Sequence, residues 1–185
     1  MLRKFIVAVA TLLVLLSAPA VSAQTPSPTP GIFGFGRPAT PDDLQNIDID
    51  VRADGTGLPP GSGTAVQGQP IFVDKCAACH GPAGEGTNMA PRLVDPTPFQ
   101  SGVTPATVGN YWPYATTVWD YINRAMPFDK PGSLTHDEVY ALTAYLLSTN
   151  NIIGPSDVMD AQSLPKVKMP NVSGFTSPDP RPDVP

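Results

Sequence analysis

Cys76-Ala77-Ala78-Cys79-His80 places two thiols three residues apart and follows them at once with an imidazole. On one helical turn each thiol can add to a vinyl group of a porphyrin while the next residue offers nitrogen to its iron, which is the attachment pattern for c-type haem. Competing readings fit the residues less well. A thioredoxin-like redox pair needs a strand before the motif and a βαβ setting, and no strand pattern precedes Cys76. A zinc site would draw on Cys76, Cys79, His80 and His136, but the two histidines lie 56 residues apart, a spacing of no common finger. A structural disulfide explains neither the histidine nor the tight spacing, and one cysteine pair cannot staple a chain of 185 residues.

Working outward from the motif, the periodicity predicts three helices. Gly68, Phe72 and Cys76 recur every four residues and share a face, with Pro70 requiring that this helix begin near Gln69 or bend there. A second helix is expected over 116–125, with Val118, Ile122 and Ala125 on one stripe and a stop before Pro127. The third starts at a capping box, Thr135-His136-Asp137-Glu138, and should end near Asn150. Val139, Leu142 and Leu146 form one apolar face of it, and Tyr140, Ala144 and Leu147 a second. A surface helix needs only one, so another segment should cover the second, the C-terminal tail being the nearest. Strand signals are absent.

Four segments follow from composition. Residues 1–23 read as a secretory signal: Arg3 and Lys4, an apolar run over 5–16 too short to span a bilayer, then Val21-Ser22-Ala23 before Gln24. Cleavage after Ala23 is expected to yield a periplasmic chain with no membrane span. Residues 24–65 form a proline- and glycine-rich N-terminal arm, 66–150 the domain holding both cysteines, both histidines and both tryptophans, and 151–185 a proline-rich tail. Runs such as Thr25-Pro26-Ser27-Pro28-Thr29-Pro30 lack amide donors and cannot build ladders or helices. The mature chain keeps nine basic against 16 acidic side chains. That balance argues against binding nucleic acid or anionic lipid.

His80 would leave the opposite face of the iron to a methionine, a second histidine or no protein ligand. His136 sits in the first turn of the third helix beside Asp137, as a solvated capping residue does. Met89 follows His80 by only nine residues, and Met159 and Met169 lie in the tail. Met126, 46 residues after His80 and held before Pro127, is the candidate ligand, the competing reading being a core methionine filling a gap.

The order of helix, Cys76-to-His80 motif, Pro91, Met126-Pro127 and closing helix resembles the monohaem cytochromes c, which implies an all-α fold of three to five helices around one covalently bound haem c. By this resemblance the Pro91 carbonyl, in Ala90-Pro91-Arg92-Leu93, bonds the second ring nitrogen of His80, Gly68 and Phe72 mark the crossing of the first and last helices, and Leu93 lines the haem pocket. Tyr111, Trp112 and Tyr114 are read either as propionate-binding residues of that pocket or as ordinary core.

A narrower resemblance covers Pro38-Ala39-Thr40-Pro41, the run from Ile49 to Gly63, Tyr111-Trp112-Pro113-Tyr114-Ala115-Thr116-Thr117, Val167-Lys168-Met169-Pro170-Asn171 and Asp179-Pro180-Arg181-Pro182-Asp183. These stretches look like the cytochrome subunits of molybdenum sulfite dehydrogenases and sulfane dehydrogenases, with Val172-Ser173 departing from the charged pair of that group. The resemblance implies a non-catalytic subunit that takes single electrons from a molybdenum partner and hands them to a downstream cytochrome or oxidase, its arms embracing the catalytic subunit. A freely diffusing carrier, a haem enzyme and a gas sensor with a dissociable sixth ligand stand as the alternatives.

Overall fold

The computed structural model describes residues 36–45 and 47–175; the expected signal at 1–23, the proline run at 25–30 and the tail motif at 179–183 lie outside them. The chain divides between Leu44 and Gln45. Before that point Thr40 starts a short helix, α1 (Pro41–Gln45), where its hydroxyl accepts the Asp43 amide at 3.2 Å and the Asp43 carboxylate accepts the Thr40 amide at 2.8 Å. The Arg37 guanidinium and these Thr40 bonds hold the Asp43 carboxyl well below the usual carboxylate range.

The second unit runs β1 (Ser62–Gly63), α2 (Ala65–Lys75), α3 (Ala77–His80), α4 (Ala115–Ala125), α5 (His136–Thr149), β2 (Met159–Asp160) and a 3₁₀ turn over Leu164–Lys166. Helices α4 and α5 keep the expected positions, and at α5 the Thr135–Glu138 capping box is complete. Helix α2 starts earlier than Pro70 suggests, because Thr64 and Gln67 form a second capping box and the helix passes through the proline. Two residues of each flank pair antiparallel, Ser62 with Asp160 and Gly63 with Met159. The fold is otherwise helical, as expected, and this bridge leaves no strand signal because two residues have no alternation for a sequence to display.

Helix α5 is the hub. Its backbone meets α2 at Gly68, where any Cβ would overlap the Ala141 carbonyl, and β1 at Gly63, where it would overlap the Ala141 amide. Glycine permits both approaches because it has no side chain to hold the backbones apart. Phe72 stacks on Tyr145 with centroids 5.0 Å apart, and Lys75 bonds Glu138 at 2.6 Å, so α2 is tied to α5 along its length. Trp119 of α4 packs on Tyr140 at 5.3 Å.

Both flanks supply the cover that α5 requires. Residues 51–63 form a strap: Val51 donates to Asp120 at 3.1 Å, Tyr140 donates to the Pro59 carbonyl at 2.9 Å, and Ser62 donates to Asp137 at 2.8 Å. From the C-terminal side Met159, Leu164 and Met169 enter the same core, Leu164 with 0% of its surface exposed. Burying a side chain of this size stabilises by about 1.5–3 kcal/mol, so residues 159–169 of the tail are part of the folded unit.

Burial, with Asp160 adding to it, pushes the Tyr140 phenol up to about 12, from 10.0. Because the folded value is raised, the stabilisation this gives is complete below about pH 10 and is lost as pH rises through about 12. Tyr140→Phe is expected to lower stability by about 1 kcal/mol at neutral pH through loss of the bond to Pro59. The gap between wild type and variant should then narrow from pH 10 to 12 in denaturant titrations; a constant gap across that range would refute the assignment.

Candidate haem-binding site

Cys76 ends α2 and precedes α3, breaking the helix with φ −126° and ψ −35° while its amide still bonds the Phe72 carbonyl at 2.9 Å. The break turns the next residues into one short helical turn, where the Cys79 and His80 amides both bond the Cys76 carbonyl, at 3.1 and 3.0 Å. Both cysteines are free and half-buried. Burial pushes the Cys76 thiol up to about 11, opposed by Lys75 and reinforced by Cys79.

His80 Nδ1 lies 2.9 Å from the Pro91 carbonyl oxygen. A carbonyl only accepts, so Nδ1 carries the proton and Nε2 keeps its lone pair for a metal. The loop that brings Pro91 back is fixed by the chain itself. Gly86 donates to the His80 carbonyl at 2.7 Å, Thr87 accepts the Met89 amide at 3.0 Å, and Leu93 donates to Gly84 at 2.8 Å. Gly86 has φ +87°, and a Cβ there would stand 2.7 Å from the Arg92 amide.

Buried Asn150, which caps α5, closes the other end of this loop by donating to the Leu93 carbonyl at 3.3 Å and accepting the Asp95 amide at 3.1 Å. Asn150 and the Gly84–Gly86 loop are absent from the sequence-based site. Asn150 looks there like an ordinary helix end, as its bond to the Leu146 carbonyl at 2.8 Å makes it, while its partners Leu93 and Asp95 lie more than 50 residues away in the chain.

Met126 caps α4 in extended conformation, its amide bonded to Ile122 at 3.1 Å. With Cys76, Ala77, Leu93 and Trp112, it is half-buried against the core. The other methionines differ: Met89 is exposed, and Met159 and Met169 are buried in the core formed with the tail. His136 is exposed at the start of α5, as expected for a capping-turn residue. The aromatic candidates separate. Tyr111 is held edge-on between Phe99 and Phe175, at 4.9 and 5.2 Å, and its carbonyl accepts from Asn171. Trp112 meets Tyr121 edge-on at 5.6 Å, and Tyr114 is the exposed N-cap of α4. Among the described residues no cluster of histidine, cysteine and carboxylates forms a separate metal site, and no helix is long and apolar enough to cross a membrane.

The donor set fits haem c: two free thiols on one turn, one imidazole whose tautomer leaves Nε2 available, and a half-buried apolar rim.

Comparison with known proteins gives the same direction. A family model described as cytochrome c matches residues 65–150. The chain is similar to the sulfane dehydrogenase SoxCD from Paracoccus pantotrophus, with 40% identity and a TM-score of 0.72 over 80% of this chain and 73% of that one. It is also similar to the Cbb3-type cytochrome c oxidase subunit CcoP of Azospirillum sp. (strain B510), 34% identical over 89 residues, and to the thiosulfate dehydrogenase of Psychrobacter arcticus, 30% identical over 84. These alignments take in 45% and 42% of this chain but only 30% and 24% of the two relatives, so the chain spans less than a third of their length.

Gly86→Ala should strain a left-handed backbone position by about 1–3 kcal/mol and push the Arg92 segment away from His80. The expected outcome is a haem still covalently attached, a lower unfolding midpoint and a raised reduction potential, because the imidazole loses basicity with the Pro91 bond. A wild-type potential in this variant would separate the loop from the tuning of His80.

Proposed function

Because the chain belongs to the cytochrome c family and carries a covalently bound haem c, we propose that it serves as the electron-transfer subunit of a periplasmic sulfur-oxidising dehydrogenase. The bound haem supplies one-electron exchange at its iron. In this reading Cys76 and Cys79 would hold the porphyrin through thioethers, and His80 Nε2 and the Met126 thioether would be the protein's ligands to the iron. The Pro91 carbonyl keeps the proton on His80 Nδ1 and raises the basicity of Nε2. Leu93 and Trp112 restrict water at the rim. An iron bound by both side chains would offer no site to a substrate, and the chemistry it would supply is one-electron transfer.

The observation that carries the sulfur-oxidation reading is the extent of the likeness to SoxCD. It takes in more of the chain than residues 65–150, and so includes flanking sequence as well as the haem domain. The matches to CcoP and thiosulfate dehydrogenase are no longer than a haem domain and support electron transfer alone. The donor expected from the sequence is a molybdenum sulfite or sulfane dehydrogenase subunit, and the acceptor a downstream cytochrome or oxidase. The reading of residues 1–23 as a secretory signal supports a periplasmic setting.

Two experiments test this. Intact-mass measurement after expression with a cytochrome c maturation system should give one haem per chain beginning at Gln24, and Met126→Ala should keep that haem, lose the ferric thioether absorption band and bind carbon monoxide when reduced. Purified without a tag from its native periplasm, the chain should arrive with a molybdenum protein and be reduced when sulfite or a sulfane-sulfur compound is added. Failure of both substrates to reduce it would leave a general electron carrier.

A further inference from the structure

We propose that Asp120 is a positioning residue for Met126, an inference that rests on reading Met126 as the second axial ligand. Asp120 is 6% exposed, and each of its carboxylate oxygens has a partner. One accepts the Val51 amide at 3.1 Å; the other accepts the Arg124 guanidinium one turn further along α4 at 2.6 Å. One turn earlier, the Thr116 hydroxyl donates to the Ala53 carbonyl at 3.4 Å. Two successive turns of α4 are thereby fastened to residues 51–53, and Arg124 stands two residues before Met126 in the last turn. The Met126 amide is bonded to Ile122, so its backbone moves with that turn.

The strap does not float. It is anchored to α5 through Tyr140 to Pro59 and Ser62 to Asp137, at 2.9 and 2.8 Å. Helix α5 in turn crosses α2 at Gly68, and α2 runs directly into Cys76 and His80. The path from His80 through α2, α5 and the strap to Met126 is closed at its last link by the Asp120 carboxylate. Supports of this kind hold a ligand within a fraction of an ångström of its working position, and the sixth ligand is where the constraint counts most. Releasing the link frees the end of α4 to shift and favours the state in which Met126 has left the iron. That equilibrium is separate from unfolding.

The test uses the mature haem-bound chain and three variants. Asp120→Ala removes both bonds, Asp120→Asn keeps an oxygen for the Val51 amide, and Arg124→Gln removes only the ion pair. Breaking a partly buried charge-assisted hydrogen bond of this kind corresponds to roughly a tenfold change in an equilibrium. The apparent carbon monoxide affinity of the reduced protein should rise by about that factor in Asp120→Ala, with a weaker ferric thioether band and a lower reduction potential; Asp120→Asn and Arg124→Gln should fall between it and wild type. If Asp120→Ala does not fold, the two milder variants decide. Variants that lower the unfolding midpoint while carbon monoxide affinity, band and potential stay at wild-type values would overturn the proposal. Met126→Ala, measured alongside, keeps the two readings apart. A band that persists there removes the ligand assignment, whereas a band lost there but untouched at position 120 removes only the positioning role.

Discussion

No side chain stands between the backbones of α2 and α5 where Gly68 meets Ala141, and the rest of the second unit is arranged around that contact. It brings α2 close enough for Phe72 to reach Tyr145 and for Lys75 to reach Glu138, and it fixes where Cys76 and His80 emerge from the end of α2. From the same helix Asn150 holds the loop that supplies the Pro91 carbonyl, while Asp137 and Tyr140 hold the strap that reaches α4. A methyl group at Gly68 would separate the two helices, and each remote attachment would then lose its partner. The haem-binding residues come from loops and helix ends, but their positions are set by one tightly packed helix pair.

How much of this was legible follows from the distance over which each interaction acts. The Cys76-to-His80 motif, the capping box at Thr135 and the stop at Pro127 are local chemistry, complete within a few residues, and the structure places all of them as the sequence suggests. The start of α2 was also written locally, in Thr64 and Gln67, but Pro70 is the louder signal and obscures it. Asp120 is a different case. It lies off the apolar stripe of Val118, Ile122 and Ala125, and nothing nearby announces that the Val51 amide, 69 positions earlier, arrives at its carboxylate. Asn150 is hidden for the same reason. Met159 and Met169 look like tail residues because they follow the last long helix, yet both are buried, as expected for flexible thioethers filling gaps in a core.

The flanks change meaning once their contacts are known. Proline-rich sequence on either side of a haem domain suggests arms free to wrap a partner, since restricted backbones lose little entropy on docking. Here residues 51–63 and 159–169 are already used within the chain. They supply a strand bridge, a carbonyl for Tyr140, an amide for Asp120 and three buried side chains, Met159, Leu164 and Met169. Segments committed in this way meet the core with one face, and what they can offer a partner is the face left exposed, which includes Arg52, Asp54 and Val158.

A domain of about 85 residues buries a smaller fraction of its surface than a larger one, and its last helix is left with apolar side chains on two faces. Adding another helix would cover the second face at the cost of ordering a long, flexible stretch. Two extended segments cover it with less ordering, because proline removes backbone freedom from the unfolded chain as well as the folded one. Glycine at 63 lets the N-terminal segment lie against the α5 backbone, and the C-terminal one returns through Met159 to pair with it. The same economy links packing to the candidate site: the strap that completes the core also joins the helix ending at Met126 to the helix pair that carries His80, so the core and the placement of Met126 relative to His80 depend on the same few bonds.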